Sequence, residues 1–257
     1  MPTWNSEQYL KFAGERTRPA HDLAARVALE SPRRVIDLGC GPGNSTAVLA
    51  QRWPGAQLTG LDSSPAMLAT ARKDYPQWYW MESDIATWAT DQPFDVVFSN
   101  AAMQWVADHD NVVPRQFAQV APGGAWAMQI PANLGAPPHR IIRELASSAA
   151  WRDKFHFPAR EWRPEAPPFY YNVLAPLAAR VDIWETEYLH VLPNVDAIIE
   201  WYRGTGLRPW LEALADDQAR VRFLEDYRAA LAPEFPPQRD GKILFPFRRL
   251  FVIAYRD

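Results

Sequence analysis

Between Val35 and Gly43 the chain reads Val-Ile-Asp-Leu-Gly-Cys-Gly-Pro-Gly. Residues 33–37 read as a short strand that runs into this glycine turn, and Asn44-Ser45-Thr46 opens a helix. Glycines at such a turn let the backbone approach a ligand, and the helix points its free N–H groups and positive dipole end there. A dinucleotide loop would read G-x-G-x-x-G. Here Gly39, Gly41 and Gly43 follow G-x-G-x-G, and Pro42 removes one N–H donor. Asp37 precedes the first glycine. A carboxylate at that lip repels a pyrophosphate and attracts a cationic amine. S-adenosylmethionine carries an amine and a sulfonium and no phosphate, so the acidic lip favours it over a dinucleotide.

Two further acids agree. Asp62 ends the second predicted strand, about 20 residues past the turn, where a carboxylate can accept from both ribose hydroxyls. Asp84 follows the third, where it can accept from an adenine amino group while Ile85 packs on the ring. Three acids at three successive strand ends would face one crevice. Cys40 has no histidine nearby in sequence and reads as a small turn residue.

The elements that position these residues alternate. Strands are predicted at 33–37, 57–61, 78–81, 94–99 and 125–130, with helices between them, one running from Pro65 to about Asp74 and another from Asp110 to Val120. Pro122-Gly123-Gly124 reads as a turn. Such alternation implies a doubly wound α/β fold with a mostly parallel sheet. Residues 4–30 read as two helices with a kink, Pro19 sitting in the first turn of the second. The second half is predicted helical near 139–151, 169–179 and 195–232, with strands at 181–192 and 248–255. Those strands would complete the sheet at one edge, the last running antiparallel, under a helical cap. The expected organisation is a helical lid (1–30), a core (31–131, 169–192 and 243–257) and cap insertions (132–168 and 193–242).

Composition narrows the function classes. At 257 residues the chain suits one large domain, or one with a small cap. With 27 Lys and Arg against 30 Asp and Glu, the net charge of -3 argues against a broad nucleic-acid surface. One cysteine excludes an intrachain disulfide and suits a reducing cytoplasm. One Cys and five scattered His offer no compact metal spacing, so no metal is expected. The start has no basic, then apolar, leader pattern, and no apolar run reaches membrane-spanning length. Twelve Trp and 24 Pro, against about 13 Pro at average usage, suit an enzyme with a loop-built pocket.

On the glycine turn and the three acids, the chain resembles the class I S-adenosylmethionine-dependent methyltransferases, a Rossmann-like family, over roughly residues 30–130. The resemblance implies that Asp37, Gly39, Gly41 and Gly43 hold the methionine end of the cofactor. Asp62 and Ser63 would take the ribose, with Met67 near the adenine. Asp84 and Ile85 would take the adenine, and Asn100 would close the site. WNSEQYLKFAGERTRPAHDLAARV (4–27), the block from Asp37 to Arg72, NAAMQW (100–105), AIIEWYRGTGLRPWL (197–211) and FRRLFVIAYR (247–256) together resemble the bacterial trans-aconitate 2-methyltransferase family over essentially the full length. That resemblance implies a small cytosolic enzyme that leaves a monomethyl ester on one carboxylate of a small polycarboxylate.

A carboxylate is ionised at neutral pH and needs no general base. Catalysis can then rest on positioning and exclusion of water, with no catalytic side chain and with Gln104 and Trp105 bordering the reacting centre. The unreacting carboxylates need cations and hydrogen bonds. Candidates are Arg16, Arg18, Arg208 and Arg248 or Arg249, with Tyr170, Tyr171 and His190 as hydrogen-bonding partners. Tyr170 and Tyr171 are adjacent, so on a helix one of the two faces the pocket. Alternatives are a methyltransferase for another small acid, a phenol or an amine, where His190 or His139 would serve as base; a dinucleotide oxidoreductase; and a non-catalytic cofactor binder. Oligomeric state is not legible.

Overall fold

The computed structural model describes residues 13–155, 165–203 and 205–257, with side chains from Thr17 onward. The expected helix before residue 13 lies outside the described residues. Seven strands form one sheet: β1 (Arg34–Leu38), β2 (Gln57–Asp62), β3 (Tyr79–Glu82), β4 (Phe94–Asn100), β5 (Val120–Pro131), β6 (Arg180–Leu192) and β7 (Ile243–Tyr255). Their order is β3-β2-β1-β4-β5-β7-β6. The first five run parallel, and β7 enters antiparallel to both β5 and β6. The order reverses between β1 and β4, so the crevice for a ligand opens beyond the C-terminal ends of those two strands.

Helices α1 (Ala13–Arg26) and α2 (Asn44–Arg52) cover one face. Ala20, Leu23 and Ala24 of α1, Val27 just past it, and Val48 and Leu49 of α2 pack on Val35, Val96, Phe98, Ala125, Ala127 and Phe251. On the other face, α4 (His109–Phe117) and α6 (Pro167–Leu174) bury Val112, Val113, Phe117, Tyr170 and Leu174 against Ile36, Val97, Trp126, Met128 and Leu250. Strand alternation divides these two cores. Helix α3 (Pro65–Asp74) begins as expected, with Ser64 as N-cap accepting from the Met67 N–H at 3.4 Å and Pro65 in its first turn.

Three local expectations are corrected. Helix α1 runs through Pro19 without stopping. The lost rung is outweighed by the apolar stripe that follows it onto the sheet. Pro122-Gly123-Gly124 belongs to β5, which starts at Val120 and carries a register shift opposite Phe94 and Val96. Strand β7 starts at Ile243, five residues earlier than predicted. Between Ile243 and Arg248 it pairs only with β6 and is an edge, where Pro246 is tolerated.

That early start builds the cap. Since Pro131 ends β5 opposite Arg249, the β6–β7 hairpin projects past the C-terminal edge of the parallel strands. Helices α5 (Pro137–Ser147), α7 (Val195–Arg203), α8 (Arg208–Ala213) and α9 (Asp217–Leu231) gather round it. A second core forms there from Ile141, Ile142, Leu192, Ile198, Trp201, Tyr202, Phe223, Tyr227, Phe245 and Phe247. Among the described residues, no helix is long and apolar enough to cross a membrane.

Candidate active site

The glycine turn is fixed from both sides. The Gly39 and Cys40 N–H groups donate to the Leu61 carbonyl of β2, at 2.7 and 3.0 Å. Asp62 Oδ2 accepts from the Gly41 N–H at 2.9 Å, and Oδ1 accepts from the Ser64 N–H at 2.8 Å. One carboxylate thus ties the turn to the start of α3 and retains further lone pairs for a ligand. Burial pushes its pKa up, against the backbone N–H groups of Ser64 and Gly41. Gly39 and Gly41 are glycines for different reasons. A Cβ on Gly39 would lie 2.2 Å from the Ala102 Cβ, so the loop after β4 packs directly on that backbone. Gly41 has φ +55°, and among the described residues nothing lies within 4 Å of an added Cβ, which leaves room for a ligand to reach the backbone. Gly43, at φ 96°, is the N-cap of α2.

Asp37 is displaced from its expected place. It is fully buried beneath the turn, and is not on the cleft's lip. Its Oδ2 accepts from the Ser45 and Thr46 hydroxyls at 2.6 and 2.7 Å, while Oδ1 has no partner. Burial raises its pKa to about 6, against the two hydroxyls, which lower it. Ser45 and Thr46 escaped sequence reasoning. Their signal was two hydroxyls one turn into the helix that crosses over an acidic strand end.

The cleft is lined by Thr17 of α1, Gly39, Cys40, Gly41 and Pro42 of the turn, Asn44 and Ser45 of α2, Asn100 at the end of β4 and Ala101 after it. Asn100 is buried and its Oδ1 has no partner. Ala101 holds φ 54°, a strained conformation for a residue with a Cβ, at the cleft wall. Gln104 is buried, donating from Nε2 to the Ala101 carbonyl at 2.6 Å, with Oε1 unpartnered, and Trp105 is 52% exposed beside it. Ile85 is buried against Gly39, whereas Asp84 is exposed and accepts from the Ala86 N–H at 2.8 Å. Met67 is buried on α3 and Ser63 is exposed before it. Cys40 is packed under the turn with Leu68, Ala71 and Trp80, and burial pushes its thiol well up, so it is inert.

The candidate anion-binding residues separate into two groups. Arg249 is 4% exposed and stacks over Phe247 at 4.4 Å. Arg18 lies over the Tyr188 ring at 4.8 Å, and Tyr188 faces Phe247 across β6 and β7. Both guanidiniums act electrostatically on Tyr188, whose hydroxyl donates to Asp22 of α1 at 2.6 Å. Arg18 and Arg249 therefore meet where α1 crosses the hairpin. Tyr170 and Tyr171 do not join them. Their helix α6 covers the opposite sheet face, where Tyr170 is fully buried and bonded to His109 Nδ1 at 2.9 Å, and Tyr171 is exposed. Arg208 pairs with Glu212 at 2.7 Å in the cap, and the exposed Arg248 approaches Glu185 at 3.9 Å. The Arg16 side chain lies outside the described residues. His190 is buried among Trp201, Phe245 and Phe247. His139 sits against Tyr202, and burial lowers its pKa to about 4, so it is neutral at physiological pH.

The sheet order with its reversed β7, and the glycine turn tied to Asp62, define a class I methyltransferase. Residues 35–124 match the family described as "Methyltransferase domain". The chain is 48% identical to the trans-aconitate 2-methyltransferase of an Azoarcus species, covering 100% of both chains. It is 47% identical to that of Methylobacterium radiotolerans, covering 99% of this chain and 98% of the relative. Among solved structures, the YcgJ protein of Bacillus subtilis superposes with a TM-score of 0.58 at 14% identity, over 93% of this chain and 98% of that one. This chain belongs to the trans-aconitate 2-methyltransferase family.

Proposed function

We propose that the chain esterifies one carboxylate of trans-aconitate with the methyl group of S-adenosylmethionine. The observation that carries the reading is the buried Arg249. A cation at 4% exposure, on the strands beyond β4 and across the sheet edge from the glycine turn, suits an anionic acceptor. The full-length likeness to relatives named for trans-aconitate supports the particular acid.

The residues present fit the cofactor. Gly41 leaves backbone open to it, Asn100 presents an unpartnered oxygen in the cleft, and Asp62 keeps lone pairs for ribose hydroxyls. Asp37, though buried, adds negative charge behind the turn and favours a cationic ligand. Ser63, Met67, Asp84 and Ile85 would border the nucleoside, with Gly39 and Gly43 shaping the turn. When bound, S-adenosylmethionine supplies a methyl group on a positively charged sulfur, which an ionised carboxylate can take without losing a proton.

The protein's own contribution is orientation. Arg249 and Arg18 hold unreacting carboxylates, Gln104 and Trp105 border the reacting one, and the cap excludes water. Residues 1–30 would act as lid, and 132–168 and 193–242 as cap. Arg16 and Arg208 would serve from those segments. The packing gives Tyr170 and Tyr171 no part in this pocket. No histidine is required, which agrees with the neutral His139 packed within the cap. The same reading places the enzyme in the cytoplasm, with no nucleic-acid or membrane partner, in keeping with its single buried cysteine and net charge of -3.

Incubation with trans-aconitate and methyl-labelled S-adenosylmethionine should move the label into a product that mild base hydrolyses. A base-stable product, or label that stays on the cofactor, would contradict carboxyl esterification.

A further inference from the structure

We propose that Gln129 is a specificity-determining residue, whose side-chain amide donates to an unreacting carboxylate of the substrate beside Arg249. The inference rests on the carboxylate reading above and names a residue that neither the motifs nor the family resemblance singled out.

Gln129 lies near the end of β5 and is fully buried. Among the described residues neither Nε2 nor Oε1 has a hydrogen-bond partner, so exchanging the two atoms relieves nothing. Enclosing an amide with neither atom paired is unfavourable. Packing does not call for an amide either. Ala125 and Ala127 precede Gln129 on its face, and Phe251 lies opposite it. An apolar side chain would suit that surface better unless something polar enters.

The neighbours show what kind of group enters. Strand register places Asn100, Gln129 and Phe251 side by side, with Arg249 two residues further along β7 toward the ligand edge. Just past β5, Asn133 donates from Nδ2 to the Tyr202 hydroxyl at 2.9 Å and leaves Oδ1 buried without a partner. Beyond Asn100, which lines the cofactor cleft, a band of buried amides, Gln129 and Asn133, thus runs along the sheet edge beside a guanidinium. The groups proposed to face the cofactor lie at β4 or on its other side: Asn100 at the end of β4, the turn after β1, Asp62 at the end of β2 and Asp84 after β3. The occupant of the band is therefore the acceptor. Two guanidiniums, Arg249 and Arg18, act electrostatically on Tyr188 at this face together with the carboxylate of Asp22, which accepts from the Tyr188 hydroxyl. Charge from Arg249 and direction from the Gln129 N–H together would fix which end of a polycarboxylate is held, and so which end is presented for transfer.

The test compares wild type with Gln129→Met, which keeps size and removes the donor, and with Gln129→Glu, which sets a negative charge against the anion. Steady-state kinetics with trans-aconitate are paired with calorimetric binding of S-adenosylhomocysteine. The expected result is a KM raised about tenfold by Gln129→Met and further by Gln129→Glu, with homocysteine-product affinity within about twofold of wild type. With dicarboxylates lacking one group in turn, one analogue should erase the difference between wild type and Gln129→Met. Unchanged KM in folded, cofactor-competent variants would overturn the inference alone, leaving the amide satisfied by buried water. Wild type that esterifies no acid would overturn the carboxylate reading and this inference with it. If Gln129→Met does not fold, the folded Gln129→Glu decides by the same KM criterion, and failure of both to fold would assign the amide a structural role and reject the inference.

Discussion

At Asp37, burial raises the carboxyl from 3.8 to about 6 despite two hydroxyl donors. The folded state therefore holds a proton more tightly than the unfolded chain. Its contribution to stability is full below about pH 4 and is lost as pH rises through about 6, by at most about 3 kcal/mol. Asp37→Asn should be more stable than wild type near neutral pH, and the gap should close toward about pH 4 in urea titrations. Ionised Asp37 also attracts the cationic cofactor, so calorimetry should show S-adenosylmethionine affinity falling below about pH 6 in wild type and staying flat in Asp37→Asn. Asp62→Ala removes both the tie on Gly41 and the expected ribose acceptor, and should weaken cofactor binding by about 1.5–3 kcal/mol. The residue types at positions 37 and 62 were legible in the sequence. The depth of Asp37 was not, because it depends on how α2 crosses the strand end and lays Ser45 and Thr46 on the carboxylate. Tyr170 was misplaced for a related reason. A tyrosine on a short helix reads equally as pocket wall or core, and only the packing of α6 against His109 decides.

At the scale of elements, strand and helix were legible wherever periodicity and punctuation agreed. They failed where one residue pulled against its surroundings. Pro19 suggested a break, yet α1 is held by its apolar stripe. Pro246 hid the first half of β7, because a proline argues against a strand unless that stretch is an edge. The hidden stretch matters for function, since the projecting hairpin is what the cap packs on. Phe245 is fully buried there, edge-on to Trp201, Tyr202, Phe235 and Phe247. Phe245→Ala should lower stability by about 3–5 kcal/mol in chemical denaturation. Under native conditions it should raise KM for the acid more than it weakens cofactor binding, because the glycine turn packs on β2 and the β4 loop, away from that core. Equal losses at both sites would show the cap and the turn to be one cooperative unit.

For the whole molecule, the sheet order sets the division of labour. Strands β1 to β3 end in the turn and the acids proposed for a cationic cofactor, while Gln129 near the end of β5 and Arg249 in the middle of β7 are proposed for an anionic acceptor. β4 stands between them, ending at Asn100, and Ala101 to Trp105 follow it. The turn, its helix and the three strand-end acids were legible as elements because they all lie within about 50 residues. Of the residues proposed for the acceptor, Arg18 and Arg249 were named from the sequence, whereas Gln129 and Tyr188 were not, because they come from distant segments and meet the arginines only once the hairpin and α1 are packed. The most direct measurement is mass spectrometry of methyl transfer from S-adenosylmethionine to trans-aconitate, cis-aconitate, citrate and isocitrate, each supplied singly. The predicted result is a single methyl ester formed preferentially on trans-aconitate, with little on its cis isomer. Equal transfer to all four would contradict a pocket that fixes the acid's geometry, and transfer to none by cofactor-binding protein would contradict the carboxylate acceptor itself.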